Sequence, residues 1–421
     1  MNITGIIAEY NPFHNGHYYQ IKQIRNLSQR PFLVAIISGY FCQRGEPAII
    51  SPRIRTKIAL ENGIDLVLQM PTYSAVGSAE LFASVAAIIL DRTGICKNIA
   101  FGAEQNRLSE LEQIASLLVN QENELWQYID IKLKLGISYA EAREHFVAEK
   151  LNPKIAALLQ QSNQILAIEY LKAIYKNKLN LKPWLIIRQG SEYLNPDLNC
   201  ITGNNSFAQS PAESSFASAL AIRNQIAKSS DEPGFPANLI EKLMSVIPRK
   251  ALATLLDNVA RHKAINMEHF ADLYYYALEN TQVPLTRYLD EALFNRLKKI
   301  VRFTGHHYPP IEDLVEQSKT KQLPATRVKR ALTNLLLNIQ EKPDYAPGYI
   351  QVLGFNKQGR YLLKRMAKSA QLPIITNFSE LSSVLTPDNM WQADLELRTA
   401  RIWLQQAGRS LNELFDSPVI V

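Results

Sequence analysis

The sequence has few cysteines and no long hydrophobic run. Its three cysteines, Cys42, Cys96 and Cys200, are odd in number and widely separated, and none belongs to a CxxC pair. This pattern argues against a disulfide framework and a zinc site. The most apolar later run, Leu81 to Leu90, is too short to span a bilayer. A basic region followed by an apolar core is also missing at the start, so we expect no signal peptide and a cytoplasmic protein.

Charge of one sign is only slightly in excess. The chain has 46 Lys and Arg against 39 Asp and Glu, which leaves a net charge of +7. Such an excess permits an RNA or nucleotide partner without requiring one. An apolar content of 47% with 20% charged residues is typical of a globular protein, and 421 residues predict two or three domains.

The first residues predict a strand, a tight turn and a helix. Ile3, Ile6 and Ile7 indicate a short buried strand, Asn11-Pro12 interrupts it, and a helical pattern starts near Gly16. The first turn of a helix has unpaired backbone N–H groups and the positive end of the helix dipole. This turn is therefore a candidate phosphate site.

Two histidines lie at that helix start. His14 and His17 are three residues apart, so both can face one anion, and Gly16 leaves room for a ligand against the backbone. We expect them to stabilise charge that builds up on a phosphate as its bond to a leaving group breaks. In the alternative, both histidines only cap a helix or fill a turn.

This motif resembles that of a known family. An HxGH sequence after a first strand resembles the signature of the nucleotidyltransferase superfamily, and GIIAEYNPFHNGH closely resembles the bacterial tRNA(Met) cytidine acetate ligase family. Members use ATP to activate acetate and then acetylate a tRNA cytidine. The resemblance implies that His14 and His17 are catalytic. It also implies ATP contacts from Ile7, Ala8, Glu9, Tyr10, Asn11, Pro12, Phe13, His14, Asn15, Gly16, His17, Tyr18, Tyr19 and Gln20.

Later apolar runs predict further strands of one sheet. They alternate with helical patterns, which favours an α/β fold with a Rossmann-like doubly wound parallel sheet. Loops at the carboxyl ends of such strands should face the same crevice as the two histidines. The runs are 31–37, 64–68, 99–103 and 184–187.

Arg44 and Gly102 are candidates on these loops. Residues 38–48 resemble the family segment SGxFxQRGEPA, and Arg44 could contact phosphate or acetate, or be a salt-bridged loop residue. Gly102 closes a predicted strand. There it could admit an adenine or ribose, as the resemblance favours, or be a simple turn glycine.

Asn163 and Arg188 complete the predicted ATP site. Asn163 matches the first asparagine of a family Asn-Asn-Ile-Leu core and would contact the nucleotide, although it could equally cap a helix. Gln164 replaces the second asparagine. Arg188 follows a buried strand, where a guanidinium could hold ATP phosphates. Family members usually continue with Tyr-His, whereas here Tyr193 precedes leucine.

The segment 216–223 resembles, in degenerate form, the family motif ISSTxIR. Ser218 could cap the helix and Arg223 could reach a phosphate. The alternative is an ordinary capped helix with a surface arginine.

A linker-like composition at 229–236 suggests a boundary. We predict an ATP-binding domain at 1–228, a basic helical domain that binds tRNA at 237–345, and a small α/β C-terminal unit at 346–421. Basic and aromatic residues interleave in the second region, as on RNA surfaces, but an ordinary helical bundle has the same composition. The aromatic candidates are Tyr274, Tyr275, Tyr276, Tyr288, Phe303 and Tyr308.

The resemblance implies a two-step ligase. Acetate would attack the α-phosphate of ATP, and the exocyclic amine of the wobble cytidine of elongator tRNA(Met) would then attack the acetyl carbon. Mg²⁺ is expected as the counter-ion of ATP, with no dedicated metal site in the chain. Two alternatives stay open: a nucleotidyltransferase acting on a small phosphate, and an RNA-binding module with a vestigial nucleotide site.

Overall fold

A computed structural model describes most of the chain, and a central β-sheet organises it. The described residues are 2–27, 31–188, 201–202, 215–227, 235–281, 286–303, 307–341 and 345–421. Within them the strands are β1 (Ile3–Ala8), β2 (Phe32–Ser38), β3 (Phe41–Cys42), β4 (Glu46–Pro47), β5 (Leu66–Met70), β6 (Asn98–Ala103), β7 (Lys182–Ile187), β8 (Ile201–Thr202), β9 (Ser215–Phe216), β10 (Ile350–Phe355), β11 (Ile374–Ile375) and β12 (Val419–Ile420).

The main sheet has the strand order β11-β10-β5-β2-β1-β6-β7, with β12 beside β10. Every pair from β5 to β7 is parallel. From β1 the chain builds outward through β2 and β5, then returns to the other side of β1 for β6 and β7. The predicted doubly wound sheet is confirmed. Its direction of winding reverses between β1 and β6, where open α/β sheets bind ligands.

Helices cover both faces of this sheet. Several begin at a serine whose hydroxyl accepts a backbone N–H of the first turn: Ser51 before α2 and Ser78 before α4 are examples. The α-helices are α1 (Asn15–Leu27), α2 (Pro52–Glu61), α3 (Thr72–Ala75), α4 (Ala79–Arg92), α5 (Leu108–Asn120), α6 (Glu122–Lys134), α7 (Tyr139–Lys150), α8 (Pro153–Ala156), α9 (Ser162–Lys176), α10 (Ala219–Ala227), α11 (Ala237–Val246), α12 (Arg249–Val259), α13 (Ala271–Asn280), α14 (Glu291–Phe303), α15 (Ile311–Ser318), α16 (Ala325–Leu336), α17 (Lys357–Ser369), α18 (Leu381–Val384) and α19 (Met390–Gln406).

Strands β1, β2, β5 and β6 are largely buried on both sides, as their continuous apolar sequences indicate. β7 lies at the edge of the sheet and is only partly buried, so the prediction of a buried strand before Arg188 is wrong. On β2, Val34 and Ile36 belong to one core cluster, and Ala35 and Ile37 to the other. The alternation follows the two-residue period of a strand. Among the described helices, none combines the length and the apolar composition that crossing a membrane requires.

The C-terminal unit is built into the main sheet. β10 pairs antiparallel with β5, so the strands of residues 346–421 extend the sheet of the N-terminal region. The Trp403 indole donates a hydrogen bond to the Ala48 carbonyl at 3.0 Å. The domain boundaries stay a prediction, and 229–234, Tyr193 and Cys200 lie outside the described residues.

Candidate active site

The turn between β1 and α1 places both histidines at a helix N-terminus. The chain leaves β1 through Tyr10, whose φ of 49° is left-handed, and through a cis Asn11–Pro12 peptide bond. His14 immediately precedes α1, and its carbonyl accepts hydrogen bonds from the backbone N–H groups of His17 and Tyr18 at 2.9 and 3.2 Å. The predicted strand, turn and helix are confirmed, and the N-terminus of α1 points at the carboxyl edge of the sheet.

The two imidazoles stack, with ring centroids 3.9 Å apart. The Nδ1 atom of each ring accepts a backbone hydrogen bond: His14 Nδ1 from the Gly16 N–H at 3.1 Å, and His17 Nδ1 from the His14 N–H at 3.3 Å. A neutral imidazole that accepts at Nδ1 carries its proton on Nε2. Each ring is thereby fixed as an Nε2–H donor.

Both rings are held in the neutral form. Burial, followed by the charges of His17, Arg188 and Arg223, lowers the pKa of His14 well below its ordinary value. Burial and the charge of Arg188 lower the pKa of His17 to about 3. At neutral pH both rings can therefore donate hydrogen bonds to an anion. Neither carries the extra proton that a histidine general acid would transfer.

A cavity of about 410 Å³, here called the switch-point cavity, lies over the carboxyl ends of β1, β6 and β7. Its cationic lining includes Arg44, Arg188 and Arg330 beside the two histidines. The lining contains most of the predicted ATP contacts, namely Ile7, Ala8, Glu9, Tyr10, Asn11, His14, Gly16, His17, Tyr19, Gln20, Gly102, Asn163 and Arg188. A positively charged cavity of this size suits a nucleoside triphosphate.

Four residues of the predicted segment lie elsewhere. The ring of Phe13 packs against Tyr10, with the two ring centroids 5.0 Å apart. The Asn15 amide donates to the carbonyl of Ser215 at 2.8 Å, and Tyr18 faces another groove on the far side of α1. Pro12 forms the cis peptide bond of the turn. These side chains shape the turn and are not part of the cavity wall.

Glu104, Asn163 and Arg188 form a chain of hydrogen bonds, with Asn163 in the middle. The Glu104 carboxylate accepts from the backbone N–H of Asn163 at 3.2 Å and from its side-chain amide at 2.6 Å. The carbonyl oxygen of the Asn163 side chain accepts from Arg188 at 3.3 Å. Asn163 is therefore not the side-chain cap of α9, because the carboxylate of Glu104 satisfies the N-terminus of that helix. Sequence reasoning missed Glu104, which has no motif of its own.

Gly102 provides space for Arg188. It lies inside β6, so the alternative of a turn glycine is wrong. A Cβ atom at this position would lie 3.2 Å from Cγ of Arg188. The missing side chain thus admits the arginine stem across the carboxyl edge of the sheet.

Hydrogen bonds connect the loop around Arg44 to the histidine turn. Asn11 accepts from the backbone N–H of Ile49 at 2.9 Å, and Glu9 accepts from that of Gln43 at 2.6 Å. Fully buried Arg55 donates to the carbonyl of Glu9 at 2.7 Å and to Ser38 Oγ at 3.2 Å. Because these contacts tie the ends of β1 and β2 together, the two loops form one rigid wall.

Helix α16 supplies residues that the motifs did not predict for this site. Gly45, with φ of 75°, lies against α16 so closely that a Cβ atom there would overlap backbone atoms of Lys329 and Arg330. This approach brings Thr326 and Arg330 to the switch-point cavity. No carboxylate of the described residues forms an ion pair with Arg330, so an anionic ligand would offset the cost of its burial.

Ser218 and Arg223 have structural contacts. The Ser218 hydroxyl accepts from the Ala221 N–H at 3.0 Å, which confirms it as a helix cap. Arg223 donates to the Asn11 carbonyl at 2.9 Å and pairs with Glu46 at 3.3 Å, so its predicted phosphate contact stays a prediction.

The structure offers neither a reactive thiol nor, among the described residues, a cluster of metal ligands at this site. Burial raises the pKa of Cys42 to about 12, which argues against a thiolate nucleophile beside the cavity. Within the part of the chain that the structure describes, no three His, Cys, Asp or Glu side chains form a group able to hold a metal ion.

The basic helical region is partly core. Tyr274 and Tyr275 are buried, at 1% and 2% exposure, whereas Tyr276 and Tyr308 are 69% and 53% exposed. Buried Tyr274 and Tyr275 support the alternative that this region is an ordinary helical bundle. Exposed basic side chains of the region include Arg249, Lys250, Arg261, Lys263, Arg296, Lys299 and Arg302.

Comparison with known proteins identifies relatives over the full length. A family model described as HIGH Nucleotidyl Transferase matches residues 1–412. The tRNA(Met) cytidine acetate ligase of Thermoanaerobacter sp. (strain X514) is 36% identical over 401 residues, which cover 94% of this chain and 93% of the relative. That of Acetivibrio thermocellus is 31% identical and covers 100% of both chains.

Solved structures agree with these sequence relatives. The apo crystal structure of Thermotoga maritima TmcAL superposes with a TM-score of 0.87 at 27% identity, covering 100% of both chains. The crystal structure of TmcAL from the same organism bound with alpha-thio ATP superposes with a TM-score of 0.85. The resemblance inferred from the N-terminal string is confirmed, and so is the fold class.

Proposed function

Because this chain belongs to the tRNA(Met) cytidine acetate ligase family, within the HIGH nucleotidyl transferases, we propose that it is an ATP-dependent ligase acting on elongator tRNA(Met). It would activate acetate as acetyl-adenylate and acetylate the exocyclic amine of the wobble cytidine. The observation that carries the proposal is the pair of neutral imidazoles, each fixed as an Nε2–H donor, at the start of α1 in a cationic cavity.

In the first step an acetate oxygen attacks the α-phosphate of ATP and pyrophosphate leaves. Negative charge rises on the phosphate oxygens as the bond to the leaving group breaks. Nε2–H donors placed at the helix N-terminus stabilise that charge without a proton transfer, and they need no reorganisation because their Nδ1 atoms are already bound. No general base is required.

Arg188 and Arg330 hold the triphosphate in this proposal. Arg188 is oriented by Asn163 at 3.3 Å, and Asn163 is oriented by Glu104. A guanidinium fixed in this way can donate two parallel hydrogen bonds to a phosphate. Gly102, Asn163 and the end of β1 would hold the nucleoside part.

Mg²⁺ would enter with ATP. Among the described residues no cluster of metal-binding side chains faces the cavity, and Glu9 is the carboxylate in its wall. This lining does not form a metal cage, so the ion would keep phosphate and water oxygens as ligands. In this proposal the neutral histidines stabilise the charge that develops on the phosphate, and Arg188 and Arg330 hold the triphosphate.

The tRNA would bind beside the cavity. Exposed arginines and lysines of α12 and α14, with exposed Tyr276 and Tyr308, offer phosphate contacts and stacking surfaces. α16 belongs to the same helical region and reaches the switch-point cavity. We therefore assign tRNA binding to this region, and we expect the protein to work in the cytoplasm, where its tRNA substrate is found.

The proposal is tested by acetate-dependent release of pyrophosphate from ATP, with and without bacterial tRNA, followed by mass analysis of the tRNA nucleosides. We expect N4-acetylcytidine only when ATP, acetate and tRNA(Met) are all present. Release of pyrophosphate without a modified nucleoside would point to a small-molecule nucleotidyltransferase. ATP binding without any release would point to an RNA-binding module.

A further inference from the structure

A second cavity adjoins the switch-point cavity. This side pocket has a volume of about 330 Å³, and Arg44 and Thr326 line both cavities. The larger outer groove, of about 1060 Å³ between α1 and α12, shares no lining residue with the switch-point cavity. A group bound in the side pocket is therefore next to whatever occupies the switch-point cavity.

One helix forms the partition between them. Ala219 of α10 lines the switch-point cavity, while the next residue, Leu220, lines the side pocket. One turn later, Arg223 lines the side pocket and donates to the Asn11 carbonyl in the histidine turn at 2.9 Å. The partition is thus a single layer of side chains beside the histidine turn.

The electrostatics of the side pocket differ from those of the switch-point cavity. Two of the three cations in its lining, Arg223 and Lys329, pair with Glu46 at 3.3 and 2.7 Å. Burial would raise the pKa of Glu46, but Arg223 and Lys329 outweigh that effect and keep its pKa below the ordinary value. The lining as a whole has three cations, Arg44, Arg223 and Lys329, and three carboxylates, Glu46, Glu268 and Glu312. With the charges equal in number, the pocket suits a neutral ligand better than a second phosphate.

The lining of the side pocket fits a flat base. Ile49, Leu220, Ile226 and Met267 give apolar surfaces against which a ring can lie. The Asn224 amide also lines it and makes no hydrogen bond to another described residue. An amide offers one acceptor and two donors, enough to read the polar edge of a base. The volume lies at the small end of ligand sites, as expected for a nucleoside.

We propose that the side pocket binds the acceptor, an unpaired pyrimidine of the RNA substrate whose exocyclic amine faces the switch-point cavity across Arg44 and Thr326. The inference rests on the ligase function proposed above. In the transfer step the amine nitrogen attacks the carbonyl carbon of acetyl-adenylate. The new C–N bond forms, the C–O bond to AMP breaks with its electron pair on the AMP phosphate, and the amine releases one proton to water.

Two variants test the pocket. Leu220→Trp fills it, and Asn224→Leu removes the amide at nearly constant volume. We expect both to keep the wild-type affinity for ATP by calorimetry, and to lower kcat/KM for tRNA acetylation about 100-fold, the effect of a misplaced acceptor. The matched control is Leu135→Trp, the same exchange just after α6, where the side chain is 70% exposed and lines neither the side pocket nor the switch-point cavity. It should acetylate tRNA at the wild-type rate.

A direct measurement supports the kinetic one. Free cytidine should show saturation-transfer NMR signals with the ATP-bound wild type and with Leu135→Trp, but not with Leu220→Trp. Wild-type acetylation by both pocket variants would overturn the assignment, as would loss of ATP binding in either. If the wild-type protein itself acetylates no tRNA, the ligase function has failed, which is a distinguishable result.

Discussion

The two imidazoles of the site act in our proposal as neutral hydrogen-bond donors. His14→Ala and His17→Ala each remove one Nε2–H that faces the phosphate. We expect each change to lower kcat for acetyl transfer by about 10²–10³-fold, the typical cost of one lost donor to a developing oxyanion. ATP affinity should fall much less, since the other donors remain.

The matched control for the histidines is Tyr18→Ala, one residue away, because Tyr18 faces the outer groove. It should leave kcat within about twofold of wild type, because the Tyr18 side chain lies outside the cavity in which the chemical step takes place. Single-turnover acetylation with radiolabelled acetate separates the chemical step from product release. Wild-type rates in both histidine variants would refute the donor role.

The low pKa of His17 also predicts a pH dependence of stability. Burial lowers this pKa from 6.5 to about 3, so below pH 6.5 the unfolded chain binds a proton that the folded protein does not. The contribution of His17 to the free energy of unfolding is therefore fully present above pH 6.5. It decreases as the pH falls from 6.5 toward 3. His14 acts in the same direction.

His17→Asn isolates this effect, because the asparagine oxygen can replace Nδ1 as an acceptor and does not titrate. Denaturant unfolding at pH 7 and pH 5 should show a smaller loss of stability in the variant than in wild type. An equal loss in both proteins would mean that the ring titrates normally in the folded state.

At the scale of elements, the end of β6 and the start of α9 together orient Arg188. Glu104→Ala removes the carboxylate that holds Asn163 at 2.6 Å. Hydrogen bonds to charged groups contribute about 1.5–3 kcal/mol, so we expect the KM for ATP to rise roughly tenfold or more while kcat changes less. Initial rates of pyrophosphate release at varied ATP concentration give both constants.

Glu110→Ala is the control for that change. Glu110 pairs with Arg107 at 3.1 Å on α5, and its side chain is 30% exposed. Ion pairs exposed to water contribute little, so its KM should equal that of wild type. An unchanged KM in Glu104→Ala would show that Arg188 is oriented by other contacts.

The sequence predicted those elements whose pattern lies in a few neighbouring residues. The apolar run of β2 and the break at Asn11-Pro12 are visible in neighbouring residues, and the HxGH spacing placed both histidines correctly. Boundaries differed by a few residues: the third predicted strand, 64–68, is Leu66–Met70 in the structure. Between β5 and β6 the structure has two helices, α3 and α4, and Ser78 caps the second.

The residues missed at the site come from contacts between distant parts of the chain. Arg330 reaches the cavity because Gly45 lets α16 approach the β3–β4 turn, and the two positions are far apart in sequence. Glu104 orients Asn163 across 59 positions. Periodicity reports which face of an element is buried and carries no information on which elements meet, so such partners require the fold.

At the scale of the whole molecule, one core crosses the predicted domain boundaries. A single cluster of buried side chains includes Ile36 of the N-terminal sheet, Phe270 and Leu314 of the helical region, and Trp403 near the C-terminus. Elements that share a core lose their packing together when one is removed. We therefore expect one cooperative unfolding transition, with coincident curves by tryptophan fluorescence and far-UV circular dichroism.

Truncation tests the same cooperativity directly. A chain ending at residue 345 loses β10, which pairs with β5, and loses Glu396, which accepts from the backbone N–H of Thr72 at 2.5 Å and from its hydroxyl at 2.9 Å. Removal leaves β5 as an uncovered apolar edge, a form prone to aggregation. The truncated chain should be insoluble or lack a cooperative transition, and added ATP should not rescue it. A soluble 1–345 fragment with a sharp transition and wild-type ATP affinity would instead mean that the C-terminal unit is dispensable, and that the sheet is complete at β5.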